Sequence, residues 1–482
     1  MLSYLPNFNF KKNTIHIIGI GGIGMSGLAK LLNEYNILVQ GSDLNDSQYI
    51  QDLRKSGIKV FIGHQASNIT NCQLVVKSSV IKDNNIEIIS AFYQSIPVIS
   101  RADLLSSIVA NQYNICVTGS HGKTSITALI YNLLKNSGIN PTVICGAIIH
   151  SINSNISRGQ DFYNIIEADE SDGTFLVVPT NISIITNLDN EHLNYYGSLT
   201  NMLNVFNLYI QKSLMKDLVI VCDDCRNLKI INKSFYNDNK FISYGIDSKN
   251  ADFRAVNIKK TKKGMKFDVV LSDKSKQMLL TNSNILKDIC IINYGQHNIL
   301  NTLAAISVYL FQGGKEKAIN QVLQGDLRVH RRFFILGKIN DITFVDDYAH
   351  HPNEIRATLN VVQELSTQTM GKIIAVFEPH KYSRFKALYK QFLSSFTYVN
   401  HLIILDIFNT EELHIDNKLL QSFCHDMKAK CDSVNYSRTS ALLKSRIKIL
   451  AKPGDYIIFM GAGNISNIAR NIFCKIKNQD LL

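Results

Sequence analysis

Two glycine-rich turns are the first residues in this sequence whose spacing points to chemistry. Gly19-Ile20-Gly21-Gly22-Ile23-Gly24 fits GxGxxG after a stretch that reads as a buried strand, Thr14 to Ile18, and before a helical pattern from about Met25 to Asn33; Asp43 follows about 20 residues on. Such glycines let backbone N–H groups and a helix N-terminus approach a diphosphate, a chemistry shared by NAD and other nucleotide diphosphates. Gly119-Ser120-His121-Gly122-Lys123-Thr124 ends in the GKT of a P-loop, two residues shorter than GxxxxGK[ST]. The strand reading Asn114 to Val117 precedes it and the helix reading Ser125 to Lys135 follows, closed by Ser137-Gly138. Its amides would cradle phosphates, Lys123 would bridge the β- and γ-phosphates, and Thr124 would offer its hydroxyl to Mg2+. An NAD enzyme has no use for a triphosphate loop. An ATP-dependent enzyme with a second, nucleotide-linked substrate needs both loops.

Three further clusters sit where strands are expected to end. Glu167-Ala168-Asp169-Glu170-Ser171-Asp172 closes the strand Asn164 to Glu167, and its carboxylates suit a hard divalent cation. His192 follows the strand Ile182 to Ile185 and Thr186-Asn187; taken alone it carries little weight, a lone histidine being more often structural than a ligand. Asp346-Asp347-Tyr348-Ala349-His350-His351-Pro352 ends one strand and opens a helix, with Arg331-Arg332 upstream and His380-Lys381-Tyr382-Ser383-Arg384 after the strand Lys372 to Phe377. These cations could neutralise phosphate or clamp a carboxylate.

The elements that must position these clusters read as α/β throughout. Short apolar strands at Ile37 to Val39, Lys59 to Ile62 and Leu74 to Val76 continue the first βαβ unit, and the pattern pauses around Ile96 to Asp103. Asp217 to Asp288 is polar and lysine-rich and reads as a peripheral antiparallel region. A third unit begins after Gly325, with strands at Ile342 to Val345, Lys372 to Phe377, Leu402 to Leu405 and Tyr456 to Met460. A chain of 482 residues exceeds one core, and 45% hydrophobic with 19% charged residues is the balance of a globular protein. No apolar run reaches the roughly 18 residues needed to span a bilayer. The stretch before Thr14 mixes Asn, Pro and paired lysines in place of an apolar leader, so a cytoplasmic location and no membrane partner are expected. Nine cysteines without framework spacing read as reduced thiols, and Cys222 and Cys225, the one CxxC pair, as two ordinary thiols. The net charge of +12 is dispersed without a strongly basic block and by itself leaves an anionic partner open; no nucleic-acid partner is expected once two nucleotide phosphates account for part of it.

Taken together, these motifs resemble the Mur ligases over essentially the whole chain. The resemblance rests on His16 to Gly27, Gly41 to Leu44, Ser78-Ser79, Arg101-Ala102, the short P-loop, Glu167 to Asp172, Thr186-Asn187, Gly295 to Asn301, Arg331 to Phe333, Asp346 to Pro352, Pro379-His380 and Gly461 to Ile465. It implies a three-domain α/β architecture: a Rossmann-like UDP-substrate domain (1–107), a central P-loop ATPase domain (108–323) and a Rossmann-like amino-acid-binding domain (324–482). It also implies ATP-dependent joining of L-alanine to the lactyl carboxylate of UDP-N-acetylmuramate through an acyl phosphate, in peptidoglycan precursor synthesis, with ATP and Mg2+ as cofactors. Carried over residue by residue, Gly21, Gly22, Ile23, Gly24, Ser42, Asp43 and Ser79 would bind the UDP substrate. Gly119 to Ser125 (Gly119, Ser120, His121, Gly122, Lys123, Thr124, Ser125), His297, Asn298, Asn301, Arg332 and Asp347 would bind ATP. Thr124, Glu167 and His192 would hold the metal.

The resemblance places catalysis on Lys123, on His350 or His351 as acceptor of the amine proton, and on Arg384 for the alanine carboxylate. The chain departs from the family at Glu191 and Asn194, where aspartates flank the metal-site histidine, and at Glu378 and Lys381, where Gln and Arg are usual. Lysine cannot make the bidentate fork, which is why Arg384 is preferred. Three alternatives stand beside this reading: a murein tripeptide recycling ligase, an NAD-dependent oxidoreductase, which leaves the P-loop unexplained, and a non-catalytic nucleotide-binding scaffold. Monomer and homodimer are both open.

Overall fold

The structure, a computed structural model, describes residues 13–189, 193–231, 233–261, 263–279, 283–408 and 417–479. They form two compact units, one ending at Leu327 and the other beginning at Arg328. The first unit contains two sheets and the second contains one.

The first sheet is built from β1 (Ile15–Ile18), followed by α1 (Ile23–Glu34), β2 (Val39–Asp43), β3 (Lys59–Ile62), β4 (Leu74–Lys77), α2 (Ile86–Tyr93), β5 (Val98–Ser100) and α3 (Arg101–Val109). Its order is β3-β2-β1-β4-β5, all parallel. β1 lies between two parallel neighbours and all four of its residues are buried, His16 among three isoleucines. The expected strand Ile37 to Val39 is instead β2, running on through Gln40, Gly41, Ser42 and Asp43: parallel pairing with Ile15–Ile18 carries polar residues that hydropathy alone would end on. The expected pause at Ile96 to Asp103 is also corrected. It holds β5 and the start of α3, whose Ser100–Asp103 capping box fixes the helix start.

The second sheet has ten strands. In chain order they are β6 (Tyr113–Thr118), then after α4 (Lys123–Asn136) β7 (Thr142–Ile149), β8 (Ser154–Ser157), β9 (Tyr163–Glu167), β10 (Ile182–Ile185), β11 (Leu218–Cys222), β12 (Phe241–Gly245), β13 (Phe253–Thr261), β14 (Gly264–Leu271) and β15 (Ile285–Ile291); α5 (Gln296–Phe311) follows. The order is β15-β14-β13-β12-β11-β10-β6-β9-β7-β8. β11 and β12 are fully buried and parallel to their neighbours, so the antiparallel reading of Asp217 to Asp288 holds only for β13 to β15. The first sheet is fastened directly to the second. A Cβ at Gly27 would lie 2.7 Å from Asn155 Nδ2, and that amide donates at 3.0 Å to the Ile23 carbonyl. Arg101 at the head of α3 donates at 2.9 Å to Asp172 Oδ2 and at 3.0 Å to Thr174 Oγ1.

The second unit is a six-stranded sheet of β16 (Phe334–Ile339), β17 (Ile342–Asp347), β18 (Ile373–Phe377), β19 (His401–Ile404), β20 (Ser433–Tyr436) and β21 (Tyr456–Met460), with α6 (Pro352–Thr369) after β17 and α7 (Ile465–Gln479) after β21. Its order is β16-β17-β21-β18-β19-β20, and only the β16–β17 pair is antiparallel. Buried apolar residues cover both faces, and the parallel run of β17, β21 and β18 sets the loops beyond them at one carboxyl edge, where parallel sheets hold ligands. Among the described residues no helix is long and apolar enough to cross a membrane, and all nine cysteines are free thiols, Cys222 and Cys225 included.

Candidate active site

The P-loop leaves the end of β6 and enters α4. Gly122 caps the helix at φ +85° and Gly119 takes φ +118°, where a Cβ would collide with the Thr186 hydroxyl. The neighbouring strand end clamps the turn. Asn187 accepts from His121 N–H at 2.9 Å, donates to the His121 carbonyl at 3.0 Å, and offers its own carbonyl to Ser120 N–H at 2.9 Å. Asn301, on the second turn of α5, abuts the loop: a Cβ at Gly122 would lie 2.6 Å from its Oδ1. Asn298 donates at 2.7 Å to the Tyr294 carbonyl and lies 3.1 Å from the exposed His297 ring, so these two form the mouth of α5 while Asn301 meets the loop itself.

Lys123 opens α4 and donates at 2.6 Å both to the Gly119 carbonyl and to Glu170 Oε2. Burial alone would lower its pKa; the carboxylates of Glu170, Asp169 and Glu167 outweigh it and raise the ammonium above the usual lysine range, so the cation persists at all working pH values. The acidic turn is divided among partners. Glu170 takes Lys123, Asp172 takes Arg101, and Glu167 takes Thr124, whose hydroxyl donates to Oε1 at 2.8 Å. Glu167 Oε2 accepts the Gly146 N–H at 2.6 Å, and a Cβ at Gly146 would fill the recess, 2.8 Å from one carboxylate oxygen and 2.9 Å from the other. A hydroxyl and a carboxylate side by side in such a cradle form a hard-oxygen donor pair and fit Mg2+. His192 and Glu191 lie outside the described residues, and nothing is described for the Asn194 side chain.

In the first sheet the glycine loop is held from β2. The Ser42 carbonyl accepts from Gly19 N–H at 2.8 Å and from Ile20 N–H at 3.1 Å, and Asp43 Oδ2 accepts from Gly21 N–H at 2.9 Å. Asp43 therefore braces the turn, whereas a dinucleotide fingerprint turns its acid to a ribose hydroxyl. The amides of Ile23, Gly24 and Met25 open α1, in the first turn, where N–H groups have no intrahelical acceptor. Ser79 is exposed beyond β4. Ser42 is fully buried, and its hydroxyl donates to Glu87 Oε2 at 2.6 Å.

The second unit gathers its own cluster at the ends of β17 and β18. Asp347 accepts from Phe333 N–H and Ala349 N–H, both at 2.7 Å, and burial pushes its carboxyl up to about 6. Oδ2 thus pins the backbone beside Arg332 and Oδ1 the turn that follows β17, so any contact with a ribose would be additional to that bracing. Arg332 lies with its guanidinium carbon 5.1 Å from the Tyr348 ring centroid and Nη1 4.0 Å from Glu354 Oε1. His351 is the N-cap of α6, its Nδ1 accepting from Asn353 N–H at 3.4 Å. His350 Nδ1 lies 3.0 Å from the Tyr348 carbonyl and 3.3 Å from Glu354 Oε2, and its ring is 5.8 Å from that of His380. Arg384 Nη1 reaches His380 Nδ1 at 3.5 Å. Glu378 is buried and accepts the Ile465 N–H at 3.0 Å at the head of α7, while Lys381 enters its helix at φ +64°.

Burial pushes the His350 imidazole down to about 3, with Arg384 adding to the effect and Glu354 opposing it. The unfolded chain, with an ordinary histidine, binds this proton below about pH 6.5, so the contribution of His350 to stability is complete above that pH and declines as pH falls toward 3. The second unit is expected to lose about 1 kcal/mol per pH unit from this group between pH 6 and 4 in urea melts. His350→Gln should flatten that slope; an unchanged slope would show that the imidazole is not held neutral.

Residues 14–113 match the Mur ligase family catalytic domain, 117–309 the Mur ligase middle domain and 331–463 the Mur ligase glutamate ligase domain. The chain belongs to the Mur ligase family. Among relatives of this Mur ligase, the UDP-N-acetylmuramate–L-alanine ligase of Rickettsia bellii is 40% identical and that of Rickettsia typhi 39%, the alignments covering 99% and 100% of this chain and 99% and 96% of theirs. In fold, this Mur ligase is similar to the solved UDP-N-acetylmuramate–alanine ligase of Thermotoga maritima, with a TM-score of 0.80 at 24% identity over 97% of this chain and 100% of that one. A murein peptide ligase from Psychrobacter arcticus shares the fold at a TM-score of 0.70 and 20% identity over 97% and 99% of the two chains.

Two residues of this Mur ligase escape a reading by sequence. Asn187 stood in a family motif, but its clamp on the P-loop appears only once β10 lies beside β6. Glu87 gave no signal at all, because its partners His16, Ser42, His64 and Asn68 are dispersed along the chain.

Proposed function

We propose that this Mur ligase joins L-alanine to the lactyl carboxylate of UDP-N-acetylmuramate while converting ATP to ADP and phosphate. The observation that carries the reading is full-length identity of 40% to an enzyme of that name, together with an intact Lys123–Thr124–Glu167 constellation. Residues 1–107 would hold the nucleotide sugar, 108–323 the ATP, and 324–482 the amino acid.

The lactyl carboxylate oxygen attacks the γ-phosphorus, and the β–γ bridging bond breaks to release ADP. The alanine nitrogen then attacks the acyl phosphate carbon, and the resulting tetrahedral adduct expels phosphate. This route needs no protein nucleophile; the chain supplies positioning and charge. The P-loop amides and Lys123 hold the β- and γ-phosphates, with Lys123 exchanging Glu170 for phosphate oxygen. Magnesium, when bound beside Thr124 and Glu167, would neutralise phosphate charge. Arg384 clamps the alanine carboxylate, and His350 takes the amine proton. The tautomers support that choice. With Nδ1–H donating to the Tyr348 carbonyl, His350 presents a lone pair at Nε2, whereas His351 uses Nδ1 as acceptor for its helix cap and so carries its hydrogen on Nε2.

The test is phosphate release by the purified chain with ATP and Mg2+, omitting UDP-N-acetylmuramate and L-alanine in turn. Release should require both. Release with the free tripeptide and none with alanine would replace this reading with the recycling ligase.

A further inference from the structure

We propose that Glu87 is a positioning residue for the nucleotide-sugar site, setting the shape of the glycine loop through the Ser42 hydroxyl. The proposal rests on the reading of the first sheet as the UDP-N-acetylmuramate site.

Glu87 sits on the first turn of α2 and is wholly buried. A carboxylate in that position is costly unless every oxygen is engaged, and here each is. Oε2 accepts from Ser42 Oγ at 2.6 Å and lies 3.3 Å from both His16 Nε2 and His64 Nδ1. Oε1 accepts from Asn68 Nδ2 at 2.6 Å and from Gln65 N–H at 3.3 Å. Burial alone would raise its pKa; the hydrogen bonds from His16, Ser42 and Asn68 prevail and hold it down to about 2. The charge is therefore permanent above pH 4 or so.

What that charge gathers is informative. Its partners come from β1, from the end of β2 and from the segment just beyond β3, the three neighbours that lead to the ligand edge of this sheet. From Ser42 the path to the loop is one residue long. The same residue whose hydroxyl reaches Glu87 gives its carbonyl to Gly19 and Ile20, and the next residue, Asp43, takes Gly21. Three consecutive loop amides thus hang from two consecutive residues of β2, and the place of that strand end is fixed by Glu87. Under that reading of the site the first-turn amides of Ile23 to Met25 serve the diphosphate, and they follow directly from the loop so set. His64, within 3.0 Å of Ser42 Oγ and with 12% of its side chain exposed, carries the same network to the surface. A packing role alone would not require a charge joined to the residue that suspends the loop.

The test uses the full chain, with direct titration of UDP-N-acetylmuramate and steady-state kinetics for all three substrates. Glu87→Gln places an amide donor among donors and should raise both Kd and KM for the nucleotide sugar by about tenfold or more, with kcat and the KM values for ATP and L-alanine changed by less than about threefold. Ser42→Ala cuts the same link while leaving the buried carboxylate in place, and decides the matter if the Gln variant does not fold. The double variant should be no worse than the more affected single one, since the two act in series. Nucleotide-sugar binding unchanged in both variants, or parallel loss for all three substrates, would overturn the proposal. Failure of the unaltered chain to bind UDP-N-acetylmuramate would remove the site reading itself, and the proposal with it.

Discussion

Replacing Lys123 with alanine is expected to lower kcat by about a thousandfold or more while the Kd for UDP-N-acetylmuramate stays within about threefold. The asymmetry follows from placement. Lys123 belongs to the second sheet, in a turn braced by Asn187 and Asn301, whereas the nucleotide-sugar loop hangs from β2 in the first. Loss of the ammonium removes the one P-loop cation at the transferring phosphoryl group, where charge stabilisation is the main catalytic contribution. A second consequence concerns the acidic turn. Glu170 is almost wholly buried and burial already pushes its carboxyl up, so without Lys123 it should take a proton and remain neutral at pH 7. The variant should therefore fold, with a lower Tm and a stability that declines as pH rises above about 4.5, where Glu170 ionises only in the unfolded chain, and levels off once the folded-state carboxyl ionises as well. Isothermal titration beside phosphate release checks the pair of numbers. Loss of nucleotide-sugar binding together with turnover would mean that the two sites are not separate.

The parts of this molecule that could be read from sequence are those in which one strand and its following turn are sufficient. β1, β10 and β21 are short strands buried along their whole length and apolar but for His16 and Ser183, and each was expected within a residue of its observed span; the P-loop and the acidic turn lie at the ends of β6 and β9, which are buried in the same way over most of their length. The reading failed where partnership replaces hydropathy. β2 carries Gln40 to Asp43 into the sheet because β1 pairs with it, and β11 and β12 lie in the parallel core although polar sequence surrounds them. Site residues divide in the same way. Thr124 and Glu167 could be paired because each belongs to a local motif. The burial of Ser42 could not be anticipated, because it is decided by Glu87, 45 residues away in sequence. Asp347 shows the same limit: its position at a strand end is legible, but its bonds to Phe333 and Ala349 N–H, which make it a brace for the arginine segment and for the turn after β17, depend on how the chain returns.

The histidine pair offers the sharpest test within the second unit. His350→Gln is expected to lower kcat by about a hundredfold or more, the range of a lost general base, whereas His351→Asn should retain activity within about threefold because asparagine is itself a good N-cap. Sequence places the two imidazoles side by side; the hydrogen-bond network gives them different work. His351 is spent on α6, its Nδ1 and the Glu354 carboxylate together forming the capping box. His350 stands one residue earlier, with Glu354 Oε2 3.3 Å from Nδ1, a carboxylate that offsets part of the burial cost of the imidazolium formed when a proton arrives at Nε2. Held down to about 3 by burial, the free imidazole is neutral throughout the working range, and it should give kcat/KM no acid limb near pH 6.5. An inflection at that pH that disappears in His350→Gln would show the ring exposed and titrating as an ordinary histidine. Equal losses in the two variants would instead indicate that both changes act through the start of α6. Measuring helix-dependent stability alongside kcat separates these outcomes, because a damaged cap lowers Tm and a missing base does not.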